Sequence, residues 1–333
     1  MSVAVLFAVS FAFAAIALLF RLRNAWVERR RSRLTDRWEP LLLEVLGGSA
    51  PEAVLLRQVE AAEVQVFLSF LMGYARRLKG EEGATVRRLA KPYLPALATS
   101  VSRGGAEKRG LAVHRLAEVG LPDYAVVVAG ALEDRSSAVA LIAARGLFRR
   151  GQERFFPAVL AQLPRFAHVS RSFLASLLSD GGSGAAPLLR AILVDPSTPA
   201  VARAVCVDAL RLLNDLDTLP LVAEFLRTSS DRELVAACLK LLRQLGHHDH
   251  VPLVRPLVRS PDPVIRAAAA GALGAIGNAD DMPMLQDALD EDEYWVSLEA
   301  ARALMALGGI DTLRRLAAST GPWAVLAQQV LSE

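Results

Sequence analysis

The chain of 333 residues is 53% hydrophobic and only 6% aromatic, which is ample for a large core and too long for one small compact domain. Its net charge of +3 is too small to indicate nucleic-acid binding by itself. With only Cys206 and Cys238, the chain has no disulfide framework, as is typical of a reducing compartment.

The first predicted element is a transmembrane helix. Residues 3–20 carry no charge, and Ser10 is their only polar residue. As a helix they would span about 27 Å, close to the thickness of the hydrocarbon core of a bilayer. A cleaved signal peptide fits poorly, because no basic residue precedes the run and no small-residue cleavage site precedes the arginines that follow. We therefore expect a membrane anchor over residues 1–21 rather than a buried soluble helix.

Residues 22–37 are predicted to be a basic juxtamembrane helix or linker. With the preceding arginine they form the basic collar, in which only Glu28 and Asp36 oppose seven arginines. These arginines are Arg21, Arg23, Arg29, Arg30, Arg31, Arg33 and Arg37. The positive-inside rule places such a collar in the cytoplasm, and Trp26 suits the membrane interface. Since Arg greatly outnumbers Lys, as in GC-rich bacteria, we expect a single-pass inner-membrane protein with its N-terminus outside and the rest cytoplasmic.

After an irregular N-terminal helical cap over residues 38–105, the sequence repeats itself about every 31 residues. Each predicted first helix ends at Gly or Asn, which accept the left-handed backbone conformation. The stops are Gly120, Gly151, Gly181, Asn214, Gly246, Gly277 and Gly308. Four residues before each stop lie Leu116, Leu147, Leu177, Leu210, Leu242, Leu273 and Leu304. Eight residues before lie the mostly small Ala112, Ala143, Phe173, Cys206, Cys238, Ala269 and Ala300. Both positions share one face, so each first helix should bury this stripe.

A second helix is predicted after each stop, because proline is tolerated in a first helical turn. In five consecutive repeats the residue six positions after the stop is Pro157, Pro187, Pro220, Pro252 or Pro283. Apolar residues follow at offsets +1, +2, +5 and +6 and form one helical face. Neither helix can bury its face alone, so the pairs must stack. We predict an all-α, right-handed α-solenoid with seven repeats over 106–320 and a capping helix over 321–333.

One segment carries a family resemblance. Residues 262–289 resemble a HEAT repeat of the PBS-lyase type through Asp262, Pro263, Arg266, an Ala-rich first helix, Ile276, Gly277 and Pro283. Weaker copies cover residues 106–318. The repeat at 170–195 departs most, with the turn Gly181–Gly184 as either a hinge or a loose loop. The resemblance implies a scaffold that binds another protein. No cofactor and no small-molecule substrate are expected.

A candidate partner-binding surface follows from the second helices, whose offsets +3 and +7 from the proline should face outward. In HEAT-like stacks the second helices line the concave surface. These offsets place Arg190, Arg227, Arg255, Arg259 and Asp290 there, together with Val194, Ala223 and Gln286. A guanidinium ridge fits an acidic or phosphate-bearing surface of a membrane-associated partner. A solvated helix face is the alternative interpretation.

Catalytic chemistry is not expected. The sequence has no phosphate loop and no GxSxG elbow. His247-His248-Asp249-His250 has metal-ligand residue types but falls in a turn between two helices, where a solvated turn is the favoured interpretation. HEAT-type enzymes that resemble deoxyhypusine hydroxylase use paired His-Glu dipeptides, and none occurs here. Cys206 and Cys238 are interpreted as buried small residues.

The predicted function is therefore a membrane-anchored, cytoplasmic interaction scaffold or accessory subunit, and not an enzyme. The organisation resembles that of bacterial HEAT proteins that accompany membrane glycosyltransferases making surface polysaccharide, although no motif here carries that resemblance. Two alternatives remain: a bilin lyase-like chromophore-handling protein, and a nucleic-acid-binding HEAT protein. The membrane helix disfavours the first. The second is disfavoured by the acidic C-terminal part, because residues 231–333 carry 14 acidic residues against nine basic ones.

Overall fold

A computed structural model describes residues 3–75, 77–321 and 323–333, with the side chains of 3–12, 14–17, 24 and 27 outside that description. Every regular element in these residues is a helix. The chain divides into two compact units, Met1–Ala143 and Ala144–Glu333. The expected all-α repeat architecture is confirmed, while its right-handed sense and the domain bounds of the repeats stay predictions.

The N-terminal unit begins with a helix of 44 residues, α1 (Val3–Leu46). It continues with α2 (Glu52–Leu56), α3 (Val64–Ala75), α4 (Gly80–Ala90), α5 (Leu94–Ser100), α6 (Ala106–Val119) and α7 (Pro122–Gly130). The end of α1 packs into this unit through Trp38, whose ring centroid lies 5.1 Å from that of Phe67 and 5.7 Å from that of Phe70. This aromatic cluster fixes the C-terminal half of α1.

The predicted membrane anchor lies on the N-terminal half of α1. Among the residues that the structure describes, no helix is both long enough and apolar enough to cross a membrane. Within the anchor predicted over residues 1–21, residues 1 and 2 and the side chains of residues 3–12 and 14–17 lie outside the described part of the chain. The anchor therefore stays a prediction.

The C-terminal unit is a stack of helix pairs. After α8 (Ser137–Arg149), which straddles the boundary, the helices are α9 (Phe156–Ala161), α10 (Arg171–Ser179), α11 (Ala186–Val194), α12 (Ala200–Leu212), α13 (Leu219–Thr228), α14 (Arg232–Leu245), α15 (Val251–Val254), α16 (Pro263–Ile276), α17 (Met282–Asp287), α18 (Tyr294–Ala306), α19 (Ile310–Ala317) and α20 (Ala324–Ser332). First helices pack on first helices in the order α10, α12, α14, α16 and α18. The stack buries the apolar stripes that no single pair could cover.

The leucine column and the prolines are confirmed. All seven leucines of the column are at most 3% exposed. Each of the five prolines is the second residue of a second helix, namely of α9, α11, α13, α15 and α17. A missing N–H has no consequence there, because the first turn of a helix has no internal acceptor for it.

The prediction of left-handed stops is correct for four of the seven. Gly120, Gly151, Asn214 and Gly308 have φ values of 66°, 59°, 55° and 88°. Gly246 and Gly277 instead end their helices in an extended conformation. A Cβ at either glycine would lie 2.5 Å from the carbonyl oxygen of Leu242 or Leu273. Glycine is needed at these two stops for close approach and not for a left-handed φ.

The prediction for the third repeat was out of register by one residue. Gly181 has φ −72°, while Gly182 has φ 64° and is the left-handed residue. Counting back four and eight residues from Gly182 gives Leu178 and Leu174, which are buried, whereas Phe173 is 40% exposed. The side chain of Phe173 therefore does not belong to the buried stripe.

An ion pair joins helices that are two repeats apart. Arg243 on α14 reaches Glu299 on α18 with an Nη1–Oε2 distance of 2.6 Å. It passes the intervening α16 at Gly271, where an added Cβ would lie within 3 Å of both charged groups. Glu299 also accepts from Arg302 at 3.3 Å, and Arg302 binds the Glu333 side chain. We call this connection the α14–α18 strap.

Candidate partner-binding surface

The predicted surface residues all lie in the C-terminal unit on or after second helices. Arg190 is on α11, Arg227 on α13, and Arg255 directly follows α15. Arg259 and Asp290 end 3₁₀ turns that follow α15 and α17. The second helices α15 and α17 are short and continue in 3₁₀ geometry, so the outward face of α11 and α13 is not repeated uniformly there. Ala223, expected to face outward, is buried.

Arg190 is bound within the protein. Its Nη1 donates to both carboxylate oxygens of Asp215, at 2.5 and 2.6 Å, and lies 3.4 Å from Asp217. Both aspartates belong to the turn of the following repeat. The hydrogen bond to Asp215 raises the pKa of Arg190 above its ordinary value. Arg190 also lines a cleft of about 440 Å³ beside this turn.

Arg255 makes the equivalent contact two repeats further along the stack. Its Nε donates to Oδ1 of Asp281 at 2.6 Å, and the Asp281 residue is only 2% exposed. The other oxygen of Asp281 accepts the backbone N–H of Asn278 at 2.9 Å. The hydrogen bond to Asp281 raises the pKa of Arg255. A buried carboxylate requires such partners, so Arg255 stabilises the turn of the next repeat.

Sequence analysis missed both of these ion pairs. In each, an arginine three residues after the repeat proline meets an aspartate 25 or 26 residues later. That spacing, slightly less than one repeat, is a signal that could have identified the pairs. It indicates that Arg190 and Arg255 each connect the second helix of one repeat to the turn of the next repeat.

Arg227 and Arg259 are held much less tightly. Their side chains are 56% and 71% exposed, and each lies 3.5 Å from an exposed carboxylate, Glu224 or Asp287. Exposed ion pairs of this kind contribute little to stability. Asp290 is exposed as well. Among the predicted residues, these three can contact another molecule without breaking a strong internal contact.

The sequence matches the family model described as HEAT repeats at residues 219–305 and 261–331. Residues 219–331 carry HEAT repeats. No curated protein gave a sequence match. Arg227, Arg255, Arg259 and Asp290 lie within these HEAT repeats, and Arg190 precedes them.

Several solved structures are similar to the chain. Human deoxyhypusine hydroxylase in complex with glycerol is 18% identical, with 80% of this chain and 88% of that chain covered and a TM-score of 0.32. The CpcE–CpcF complex of phycocyanin lyase from Nostoc sp. is 18% identical over 85% and 94% of the two chains, with a TM-score of 0.27. A designed armadillo repeat protein is 14% identical over 64% and 99%, with a TM-score of 0.32. These likenesses concern the helical repeat fold and not its chemistry.

The histidine-rich turn lies between the two helices of one HEAT repeat, α14 and α15. The backbone N–H of His247 donates to Nδ1 of His250 at 3.1 Å, and Nδ1 of His248 lies 3.2 Å from the carbonyl oxygen of Ile276. His247 and His248 are exposed. Within the described residues, no group of three metal-ligating side chains is placed to hold an ion. The turn is solvated, and the expectation of no metal stays a prediction.

The two cysteines occupy the small-residue column, one before and one within the HEAT repeats. Cys206 and Cys238 are both 0% exposed, which confirms their interpretation as buried apolar residues. Burial raises the pKa of Cys206 to about 12. Burial, with a smaller contribution from the charge of Asp208, also raises the pKa of Cys238. Both thiols are neutral at physiological pH and unreactive as nucleophiles.

Proposed function

We propose that the protein is a membrane-tethered scaffold whose repeats bind another protein on the cytoplasmic side of a bacterial inner membrane. In this proposal the chain is not an enzyme. The partner is a subunit of a membrane complex, and a surface-polysaccharide glycosyltransferase system is one class that the resemblance in organisation implies.

The exposed stretch of α1 before Leu34 carries the proposal. From residue 18 to residue 33 every described side chain is exposed, including Leu18, Leu19, Phe20, Leu22 and Trp26, each more than half exposed. Among the described side chains of this helix, Leu34 is the first that is buried in the N-terminal unit. Exposure of several large apolar side chains to water is unfavourable. These side chains begin at the end of the uncharged segment 3–20 and continue beyond it. A bilayer would cover both.

The topology can be tested by cysteine labelling of intact bacterial cells with a membrane-impermeant maleimide. We expect Ser2→Cys to be labelled from outside, and Ser183→Cys to be labelled only after permeabilisation. Ser183 is an exposed turn residue, and the positive-inside rule puts it in the cytoplasm. The native cysteines provide an internal control, because their burial leaves the wild-type chain unlabelled. Labelling of Ser183→Cys in intact cells would contradict the orientation.

Partner binding is proposed to use the exposed HEAT-repeat side chains Arg227 and Arg259. We expect Arg227→Glu with Arg259→Glu to reduce capture of the partner in native membranes at least tenfold, because two charges facing an acidic surface are reversed. The measurement is the yield of a chemically cross-linked product, together with thermal melting. Arg255 is left unchanged, since its reversal would also break the contact to Asp281.

A matched control uses Arg314→Glu with Arg315→Glu. These exposed arginines on α19 give the same change in net charge. The control should retain wild-type cross-linking and melting. Equal cross-linking by the Arg227/Arg259 variant and the wild type would assign these arginines to solvated surface.

A further inference from the structure

Six of the seven arginines of the basic collar have no carboxylate partner in the described part of the chain. Arg37, the seventh, binds Glu63 and donates to the carbonyl oxygen of Gln58. The six that precede it are exposed, and none lies within ion-pair distance of a carboxylate in the described part of the chain. Residues 21–33 carry these six arginines against one carboxylate, Glu28, and so form a strong local positive potential.

The side chains of residues 18–33 also have an order along the helix axis. Apolar Leu18, Leu19 and Leu22 come first, Trp26 follows, and most of the arginines come last. At 1.5 Å per residue, Trp26 and Arg33 lie about 10 Å apart along the axis. This sequence of side chains matches the change from hydrocarbon to headgroup at a membrane surface, where aromatic rings lie at the interface.

Two arginines of the collar are already in contact with aromatic rings of the same helix. The guanidinium carbon of Arg30 lies 5.8 Å from the centroid of the Trp26 ring, and that of Arg23 lies 5.7 Å from the centroid of Phe20. Arg23, Trp26, Arg30 and Arg33 share one face of the helix, since their spacings are three, seven and ten residues. The stacked guanidinium groups keep their N–H groups free for an anion.

From this arrangement we infer that the collar binds the phosphate groups of anionic phospholipids in the leaflet that faces the repeats. The inference rests on the proposed membrane tether. Guanidinium groups bind phosphate oxygens through paired hydrogen bonds, and a basic segment beside a membrane is attracted to an anionic surface. The neighbouring exposed leucines, Phe20 and Trp26 favour a lipid surface over a nucleic acid, which would leave them in water.

The test is a competition between two vesicle populations during cell-free synthesis of the full chain. One population is phosphatidylcholine, and the other contains about 30% phosphatidylglycerol, enough to give a negative surface potential. We expect the wild type to favour the anionic vesicles by about tenfold at low salt. The preference should nearly vanish at about 0.5 M NaCl, where the Debye length is only about 4 Å.

Two variants make the result specific. Replacing Arg23, Arg29, Arg30 and Arg33 by Gln should abolish the preference while the protein still enters vesicles. The control replaces the exposed Arg57, Arg103, Arg314 and Arg315 by Gln, which changes the net charge equally, and should retain the preference.

The outcomes separate the two proposals. Equal wild-type protein on both populations would overturn the lipid inference and leave the membrane tether standing. Wild-type protein on neither population would overturn the tether itself. A preference that equimolar duplex DNA abolishes at the same low salt would assign the collar to nucleic acid and overturn the lipid inference.

Discussion

Replacing Leu273 by Ala is expected to lower the free energy of unfolding by about 2–5 kcal/mol. Leu273 is 0% exposed on α16, which packs between α14 and α18. Removing its side chain leaves a cavity that three packed helices cannot readily close, since protein interiors are close-packed. The measurement is chemical denaturation in mild detergent, followed by helical circular dichroism.

The control for this substitution is Leu212→Ala at the end of α12. Leu212 is 42% exposed, so its truncation should lower the free energy of unfolding by less than about 1 kcal/mol. A similar loss from both substitutions would contradict the assignment of the leucine column to the core of the repeats.

Replacing Gly274 by Ala should also destabilise the protein, although Ala favours a helix over Gly by about 1 kcal/mol. A Cβ at this position would lie 2.5 Å from Cα and 2.6 Å from Cβ of Ala303 on α18. The backbone of Ala303 cannot avoid this contact by a side-chain rotation, so α16 and α18 would have to separate. We expect a net loss of about 1–3 kcal/mol in the free energy of unfolding, measured by chemical denaturation.

Gly271→Ala, three residues earlier on the same helix, is the matched control. The three atoms nearest to its added Cβ belong to the side-chain ends of Arg243 and Glu299, which can move into solvent. The gain in helix propensity and the loss of a partly exposed ion pair nearly cancel, so stability should change by less than about 1 kcal/mol. Equal destabilisation by both alanines would show that helix contact at Gly274 is not the limiting feature.

The elements predicted best from sequence are those set by local rules repeated many times. The leucine column and the prolines recur at fixed offsets. A wrong alignment of one repeat therefore leaves the prediction of the helix pairs unchanged. The register at Gly181 and Gly182 failed because two adjacent glycines satisfy the same local rule. Only packing, which buries Leu174 and Leu178 and exposes Phe173, decides between them.

The candidate surface was less predictable because it depends on contacts between repeats. Sequence placed Arg190 and Arg255 on an outward face, and they do lie on second-helix segments. Their carboxylate partners, Asp215 and Asp281, come from the following repeat, and a helical wheel of one helix contains no information about them. Ala223 is buried for the same reason: its surroundings are set by stacking and not by its own helix.

The α14–α18 strap has a consequence for how the C-terminal unit opens. In a stack with contacts only between adjacent repeats, unfolding can start at an end and proceed one repeat at a time. The strap adds a coupling between second neighbours, since detaching α18 from α16 also takes Glu299 from Arg243 on α14. Glu299 further connects through Arg302 to Glu333 at the end of α20. The strap therefore adds a weak coupling between α14, α18 and the end of α20, which favours joint over separate opening of the final repeats by no more than about 1 kcal/mol.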